Sequence, residues 1–382
     1  MCRRKPSWRC FPWTVMNAEH PDALYVHIPF CRHICWYCDF CRTVYSEAQA
    51  DAFLAALEKE FSLRKFSVQL DTIYIGGGTP TSLNERQLER LLQLLAPYAR
   101  EVREYTVEIN PETLSEEKAA LLAEYGVNRA SIGMQSSDAG LLKLMNRRHT
   151  FTDVQSCTER LQRHGIENFS LDLIYSLPGQ TMKMLESSVE DALSLNPYHL
   201  SLYSLSIEEN SVFGKRGYEA LDEETEADMY EYICRRLQQA GYEHYETSNF
   251  ARDGKRSLHN TVYWQYRDFY GAGCGASGKE GSVRYDLTCS LKEYIQDPLK
   301  RQDTVLTPQE QYFEALMMSL RLREGLDKAR FFRMFGVSID DVYRDEIAEE
   351  CRRGMLVNTD ERLYCTDRGW NLLNEILVDF IA

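Results

Sequence analysis

From residue 23 to residue 205 short apolar runs suited to β-strands alternate with longer runs of helical spacing, and that alternation leaves few folds open. Strands are expected at residues 23–28, 71–75, 104–109, 129–134, 169–174 and 199–205. Helical stretches fall between them at 46–66, 84–98, 115–125, 139–145, 152–164 and 182–194. In the second of these, Leu88, Leu91, Leu92 and Leu95 share one face. Ser115 stands at the N-cap of the third. Repeated strand–helix units imply a parallel sheet with right-handed crossovers, either an open doubly wound sheet or a partial (β/α)6 barrel.

Beyond this region a further helix is expected at 223–240, followed by a Gly- and aromatic-rich stretch at 242–285. From about residue 308 the pattern changes to compact helices at 309–322, 326–335 and 339–353, a strand pair at 355–358 and 362–365, and a last helix at 367–380. Helices ending in a small hairpin suggest a winged-helix-like domain. The division expected is an N-terminal extension over 1–22, disordered and basic at its start; an α/β barrel over 23–245; a connecting segment over 246–300; and the helical domain over 301–382.

In parallel α/β folds ligands collect at the carboxyl ends of strands. The chemically distinctive residues follow that rule. After the first strand comes Cys31-x3-Cys35-x2-Cys38. Three close thiolates can hold three irons of a four-iron cluster and leave the fourth open to a small molecule. The alternatives are a zinc knuckle or unrelated thiols, although neither His27 nor His33 completes a standard zinc pattern. Gly76-Gly77-Gly78-Thr79-Pro80 follows the second strand. No Gly-Lys-Ser/Thr lies downstream, so the run suits a small polar ligand or a structural turn rather than a triphosphate. Glu108 and Asn110 end the third strand, Gln135 ends the fourth and Asp172 lies on the fifth. Glu108 and Asp172 are placed to accept hydrogen bonds from ammonium or ribose hydroxyls, or are simply satisfied strand-end carboxylates.

His259-Asn260-Thr261-Val262-Tyr263-Trp264 combines a possible metal ligand, an amide and two aromatics. Such a mixture suits a porphyrin with histidine as axial ligand, or a buried histidine at a turn with core aromatics. The other cysteines at 157, 234, 274, 289, 351 and 365 are scattered, and each is expected as a small buried thiol. Free thiolate ligands need a reducing compartment. With no run of 18 apolar residues and no apolar signal stretch, a cytoplasmic protein without a transmembrane segment is expected. A net charge of −14 over 382 residues argues against broad nucleic-acid binding.

Taken in order, the blocks YVHIPFC-x3-C-x2-C, GGGTPTSL, the strand with Glu108, GMQS, NRRHT, LDLIYSLPGQT and HNTVYW resemble the radical S-adenosylmethionine (SAM) superfamily, and within it the oxygen-independent coproporphyrinogen oxidase-like group. The resemblance implies a 4Fe-4S cluster on Cys31, Cys35 and Cys38. It implies S-adenosylmethionine chelating the fourth iron and, on receipt of an electron, yielding methionine and a 5′-deoxyadenosyl radical. Tyr25 and Tyr37 would lie near the cofactor, Gly77, Gly78 and Thr79 would contact its methionine part, and Glu108, Gln135, Arg147 and Asp172 match further cofactor contacts. The oxidase carries a fourth cysteine two residues after the third; here that position is Phe40, and Cys41, one residue on, fits neither pattern. The C-x3-C-x2-C-D-F pattern with HNxxYW behind it is similar to the HemW-type heme-chaperone branch. That likeness implies heme as ligand, with His259, Tyr263 and Trp264 at the ring, a heme-acceptor protein, and a reductant such as flavodoxin or ferredoxin. The rival implications are coproporphyrinogen oxidation or radical opening of the heme ring, and, more distantly, a radical enzyme acting on RNA.

Overall fold

The computed structural model describes residues 21–381. The expected N-terminal extension lies outside them but for its last two residues. The expected strands form at β1 (Ala23–Ile28), β2 (Thr72–Gly77), β3 (Glu104–Ile109), β4 (Arg129–Gln135), β5 (Phe169–Tyr175) and β6 (His199–Ser204). Each pairs in parallel with the next. Four further strands extend this sheet from segment 246–300 and its neighbours: β7 (Glu243–Glu246), β8 (Asn249–Ala251), β9 (Phe269–Ala272) and β10 (Ser277–Glu280), with β11 (Val283–Leu287) and β12 (Arg301–Val305) beyond. The order across the sheet is β12-β11-β10-β9-β1-β2-β3-β4-β5-β6-β8-β7. β9 runs parallel to β1, so the parallel core holds a seventh strand on the far side of the first. Antiparallel strands flank the core at both edges.

Alternation along the strands separates two surfaces. One row, including Val26, Ile28, Ile73, Ile75, Val107 and Leu171, packs under the helices in a single large core. Helix Glu85–Leu95 starts at a capping box made by Asn84 and Gln87 and turns Leu88, Leu91, Leu92 and Leu95 inward. All four are fully buried, each contributing roughly 1.5–3 kcal/mol relative to exposure. The opposite row is polar: Tyr74, Glu108, Arg129, Ser131, Ser170, Asp172, His199 and Ser201 occupy alternate positions on successive strands. A sheet face with so few apolar side chains has no use as a core and is suited to a ligand.

The C-terminal module has its own core around Leu316, Leu320, Phe331, Ile347, Leu363 and Ile376. Its three-stranded sheet, in the order Leu326–Asp327, Arg362–Cys365, Leu356–Asn358, is packed with short helices. Helix 339–353, expected as one piece, is broken into Ile339–Val342 and Arg344–Arg352 by the non-helical backbone of buried Tyr343 (φ −126°, ψ 44°). No helix among the described residues is long and apolar enough to cross a membrane.

Candidate cofactor site

Cys31 ends a two-residue strand, Phe30–Cys31, that pairs in parallel with Thr43–Val44, so the cysteine loop is tied at both ends. Its middle is pinned by the start of the NRRHT block and the residue before it: Trp36 N–H donates to the Met145 carbonyl at 3.0 Å and Asn146 Nδ2 donates to the Ile34 carbonyl at 2.7 Å. Asn146 adopts φ +59°, a conformation asparagine tolerates.

A chain of hydrogen bonds then joins two of the cysteines across three strand ends. Thr79 Oγ1 donates to Cys31 Sγ at 3.8 Å, Asn110 Nδ2 donates to Thr79 Oγ1 at 3.0 Å, and Arg147 Nη1 donates to Asn110 Oδ1 at 2.8 Å while lying 3.6 Å from Cys35 Sγ. Arg147 also donates to the Gly133 carbonyl. A side chain on Gly133 would begin 2.7 Å from that guanidinium and 2.8 Å from the Gln135 amide, so glycine makes room for both. Arg147 Nε is buried without a partner among the described residues.

Burial pushes the Cys31 thiol up to about 12 and the Cys38 thiol up to about 11. Left alone they stay protonated at neutral pH; as ligands they must exchange the proton for a metal. Among the described residues no three His, Cys, Asp or Glu side chains are arranged to hold a single metal ion. A cluster asks for a different arrangement, since it offers a separate iron to each thiolate. The loop's three sulfur donors, the adjacent buried guanidinium and the glycine-lined strand ends fit a cluster with a small polar ligand better than a zinc knuckle.

Tyr25 and Tyr37 lie at the two sides of this region. The Tyr25 hydroxyl pairs with His27 Nδ1 at 3.0 Å, and His27 Nε2 lies 2.7 Å from the Cys41 carbonyl. A carbonyl only accepts, so Nε2 carries the proton and Nδ1 accepts from Tyr25. Tyr37, between the second and third cysteines, has its phenol pushed well above the usual range, first by burial and then by the neighbouring Cys35. Gly77 (φ +105°) sits against the His27 ring. Its N–H donates to Glu108 Oε2 at 3.0 Å, and Tyr74 donates to Glu108 Oε1 at 2.8 Å. Burial, with Asp172 nearby, raises the Glu108 carboxyl to about 7. Asp172 accepts from Ser131 Oγ at 2.8 Å and Ser170 Oγ at 3.1 Å, and burial raises its carboxyl too.

The HNxxYW residues are divided between two places. His259 is 1% exposed; its Nδ1 pairs with Thr72 Oγ1 and its Nε2 with the Tyr263 hydroxyl, both at 2.7 Å. Its ring stacks on Tyr74, and burial lowers its pKa to about 3. Glu104, at the start of β3, accepts from the backbone N–H groups of Leu258 and His259, which fixes the ring at the strand starts, away from the cysteine loop. Trp264 packs elsewhere, with Tyr245, Ala251 and Leu322, under Arg321. In this conformation both imidazole nitrogens are engaged, so an axial bond from His259 would first have to displace Tyr263 or Thr72. Sequence reading passed over Tyr74, Ser131 and Asn146; the alternation of polar side chains along the strands and the asparagine of NRRHT are the signals that point to them.

At the far edge of the sheet Glu246 is fully buried, with Oε1 unpartnered among the described residues, and burial raises its carboxyl to about 7. A carboxyl whose pKa rises on folding holds its proton more tightly in the native state. Its contribution is therefore greatest below the ordinary value of 4.5 and is lost as the pH climbs through about 7. Glu108 acts in the same window. Glu246→Gln is expected to reduce the loss of stability between about pH 5 and 8, read as urea midpoints; an unaltered slope would show that Glu246 is ionised throughout.

Two family models match the chain: the radical SAM superfamily over residues 25–192 and the HemN C-terminal domain over residues 306–372. Fold, cysteine loop and second module thus define a radical SAM protein with a HemN-type C-terminal domain. The chain is 40% identical over 373 residues to the heme chaperone HemW of Lactococcus lactis, covering 95% of this chain and 98% of that protein. It is 38% identical to the heme chaperone HemW of Bacillus subtilis (94% and 99% covered) and 32% identical to that of Escherichia coli (95% and 98% covered). The chain belongs to the HemW family. Among solved structures, coproporphyrinogen III oxidase (HemN) from Escherichia coli, described as a radical SAM enzyme, superposes with a TM-score of 0.82 at 25% identity, covering 95% of this chain and 91% of that one.

Proposed function

We propose that this chain is a heme chaperone that carries a 4Fe-4S cluster on Cys31, Cys35 and Cys38, binds S-adenosylmethionine beside it, and delivers heme to an acceptor protein. The observation that carries the reading is similarity along nearly the full length to several proteins named heme chaperones. When bound, the cluster and S-adenosylmethionine supply one-electron chemistry, fed by a flavodoxin- or ferredoxin-type reductant. The chain's own residues orient that ligand. Gly77, Gly78 and Thr79 let backbone approach it, Glu108 and Asp172 accept hydrogen bonds from its ammonium and hydroxyl groups, Gln135 borders it, and Arg147 offsets the negative charge of the thiolates. Tyr25 and Tyr37 flank the pocket.

The rival reading is oxidation of coproporphyrinogen. The polar face of the sheet carries the carboxyls of Glu108 and Asp172 and the buried cations Arg129 and Arg147. Phe40, where the oxidase pattern has its fourth cysteine, is 64% exposed. Anaerobic incubation with reductant, S-adenosylmethionine, heme and coproporphyrinogen, followed by mass analysis, tests the choice. Heme recovered intact and coproporphyrinogen unchanged are expected; decarboxylated porphyrinogen or an opened macrocycle overturns the chaperone reading. For His259 the engaged nitrogens favour a bracing role. His259→Ala is expected to lower the melting temperature while leaving the heme absorption spectrum in place, and loss of the heme Soret shift would restore it as the axial ligand.

A further inference from the structure

We propose that Cys41, Cys274 and Cys289 form an oxidant-responsive thiol site, in which peroxide enters at Cys289 and the product is a disulfide between Cys41 and Cys274. None of the three is among the proposed cluster ligands. Cys41 follows the cysteine loop, and Cys274 follows β9. Because β9 runs parallel to β1, its carboxyl end delivers Cys274 to the same end of the sheet as the loop. Cys41 Sγ lies 3.9 Å from Cys274 Sγ, although the two residues are 233 positions apart. Cys41 Sγ also donates to the Cys289 carbonyl at 3.2 Å, and Cys274 Sγ to the Thr288 carbonyl at 3.2 Å. The Cys41 and Cys289 sulfurs lie 2.6 and 3.3 Å from the point where a side chain on Gly275 would begin, so a glycine here leaves space for both. Exposure is graded: Cys289 is exposed, Cys41 half-buried and Cys274 buried. Cys289, expected as a buried thiol, lies on the surface, which gives an oxidant access; partial burial and Cys41 push its thiol up to about 11, so attack by peroxide is slow at neutral pH and faster in alkali.

Cys274 is held firmly. Buried Glu60 accepts from the Gly273 N–H at 3.0 Å and from the Tyr294 hydroxyl at 2.6 Å, anchoring the turn that carries it. Cys41 belongs to the segment whose ordering shapes the cysteine loop, and its carbonyl holds His27. The chemistry balances with hydrogen peroxide as oxidant. One peroxide oxygen passes to the Cys289 sulfur, giving a sulfenic acid and one water; the Cys41 thiol displaces the hydroxyl as a second water and forms a Cys41–Cys289 disulfide. Cys274 then attacks the Cys41 sulfur and releases the Cys289 thiol. Two thiols have lost two protons and two electrons. The final step needs only that sulfurs in contact close to about 2.05 Å. The cross-link ties the loop after Cys38 to an immobile turn and preserves the shape of the site under oxidising conditions. In a reducing compartment it is reversible.

The test uses the full-length protein, treated anaerobically with excess hydrogen peroxide, then alkylated and mapped by peptide mass. A peptide joining Cys41 to Cys274 is expected. Cys289→Ala is expected to slow its appearance severalfold without changing its identity. Limited proteolysis of segment 31–44 should become slower in the oxidised protein, recover with dithiothreitol, and stay unaffected by peroxide in Cys41→Ser. Cross-links from Cys41 to Cys31, Cys35 or Cys38 overturn the proposal. So does Cys289 oxidised to the sulfinic acid while Cys41 and Cys274 remain open to alkylation.

Discussion

Cys35→Ala is expected to abolish the brown colour of anaerobically reconstituted protein, with iron falling from about four per chain to a small residue. The effect is large because Cys35 is the middle donor on a loop whose ends are tied and whose centre is pinned by Met145 and Asn146. A neighbouring thiol cannot be drawn in without breaking those bonds. Cys41 comes next along the chain, but its sulfur is turned to Cys274 and the Cys289 carbonyl. Cys41→Ser is therefore expected to keep the full iron content and the charge-transfer absorption. Iron retained in Cys35→Ala, or lost in Cys41→Ser, would reassign the ligands.

The second large effect is expected at Gly77. Gly77→Ala forces a side chain onto a backbone at φ +105°, and its Cβ would lie 2.5–2.7 Å from three atoms of the His27 ring. His27 has little freedom to yield, being held by Tyr25 on one nitrogen and Cys41 on the other. Left-handed backbone costs about 1–2 kcal/mol and overpacking about 1–3 more, giving a loss of about 2–5 kcal/mol. Gly126 is the matched control: its φ is +82°, but no atom beyond its chain neighbours lies within 4 Å of its would-be side chain. Gly126→Ala should cost about 1–2 kcal/mol. Urea unfolding separates the two, and equal losses would mean that the contact with His27 is not rigid.

The parallel strands were readable in sequence because each is a compact apolar run flanked by turn residues and followed by a helix with its own N-cap. Ser115, accepting from the Lys118 N–H, is one such signal. The cysteine loop and the glycine run were readable because residue type and spacing alone limit what they can do. β9 was not. Its four residues, Phe269–Ala272, lie in a Gly- and aromatic-rich stretch without clear periodicity, and their role comes from pairing with a strand some 245 positions earlier. His259 shows a different limit. Its neighbours in sequence suggested a ring-binding motif, whereas its surroundings are set by Thr72 and Glu104, from distant strands. Which polar group a buried histidine meets is decided by strand register, and local sequence does not carry that information.

The pairing of the first strand with β9 bears on how the molecule is made. As the chain leaves the ribosome, Ala23–Ile28 emerges early, yet one of its edges has no partner until residue 272 has followed. Until then the nascent sheet presents an open, sticky margin beside its cysteines. Metal loading during translation would meet a half-walled pocket. A product cut short after residue 245 would lack that wall.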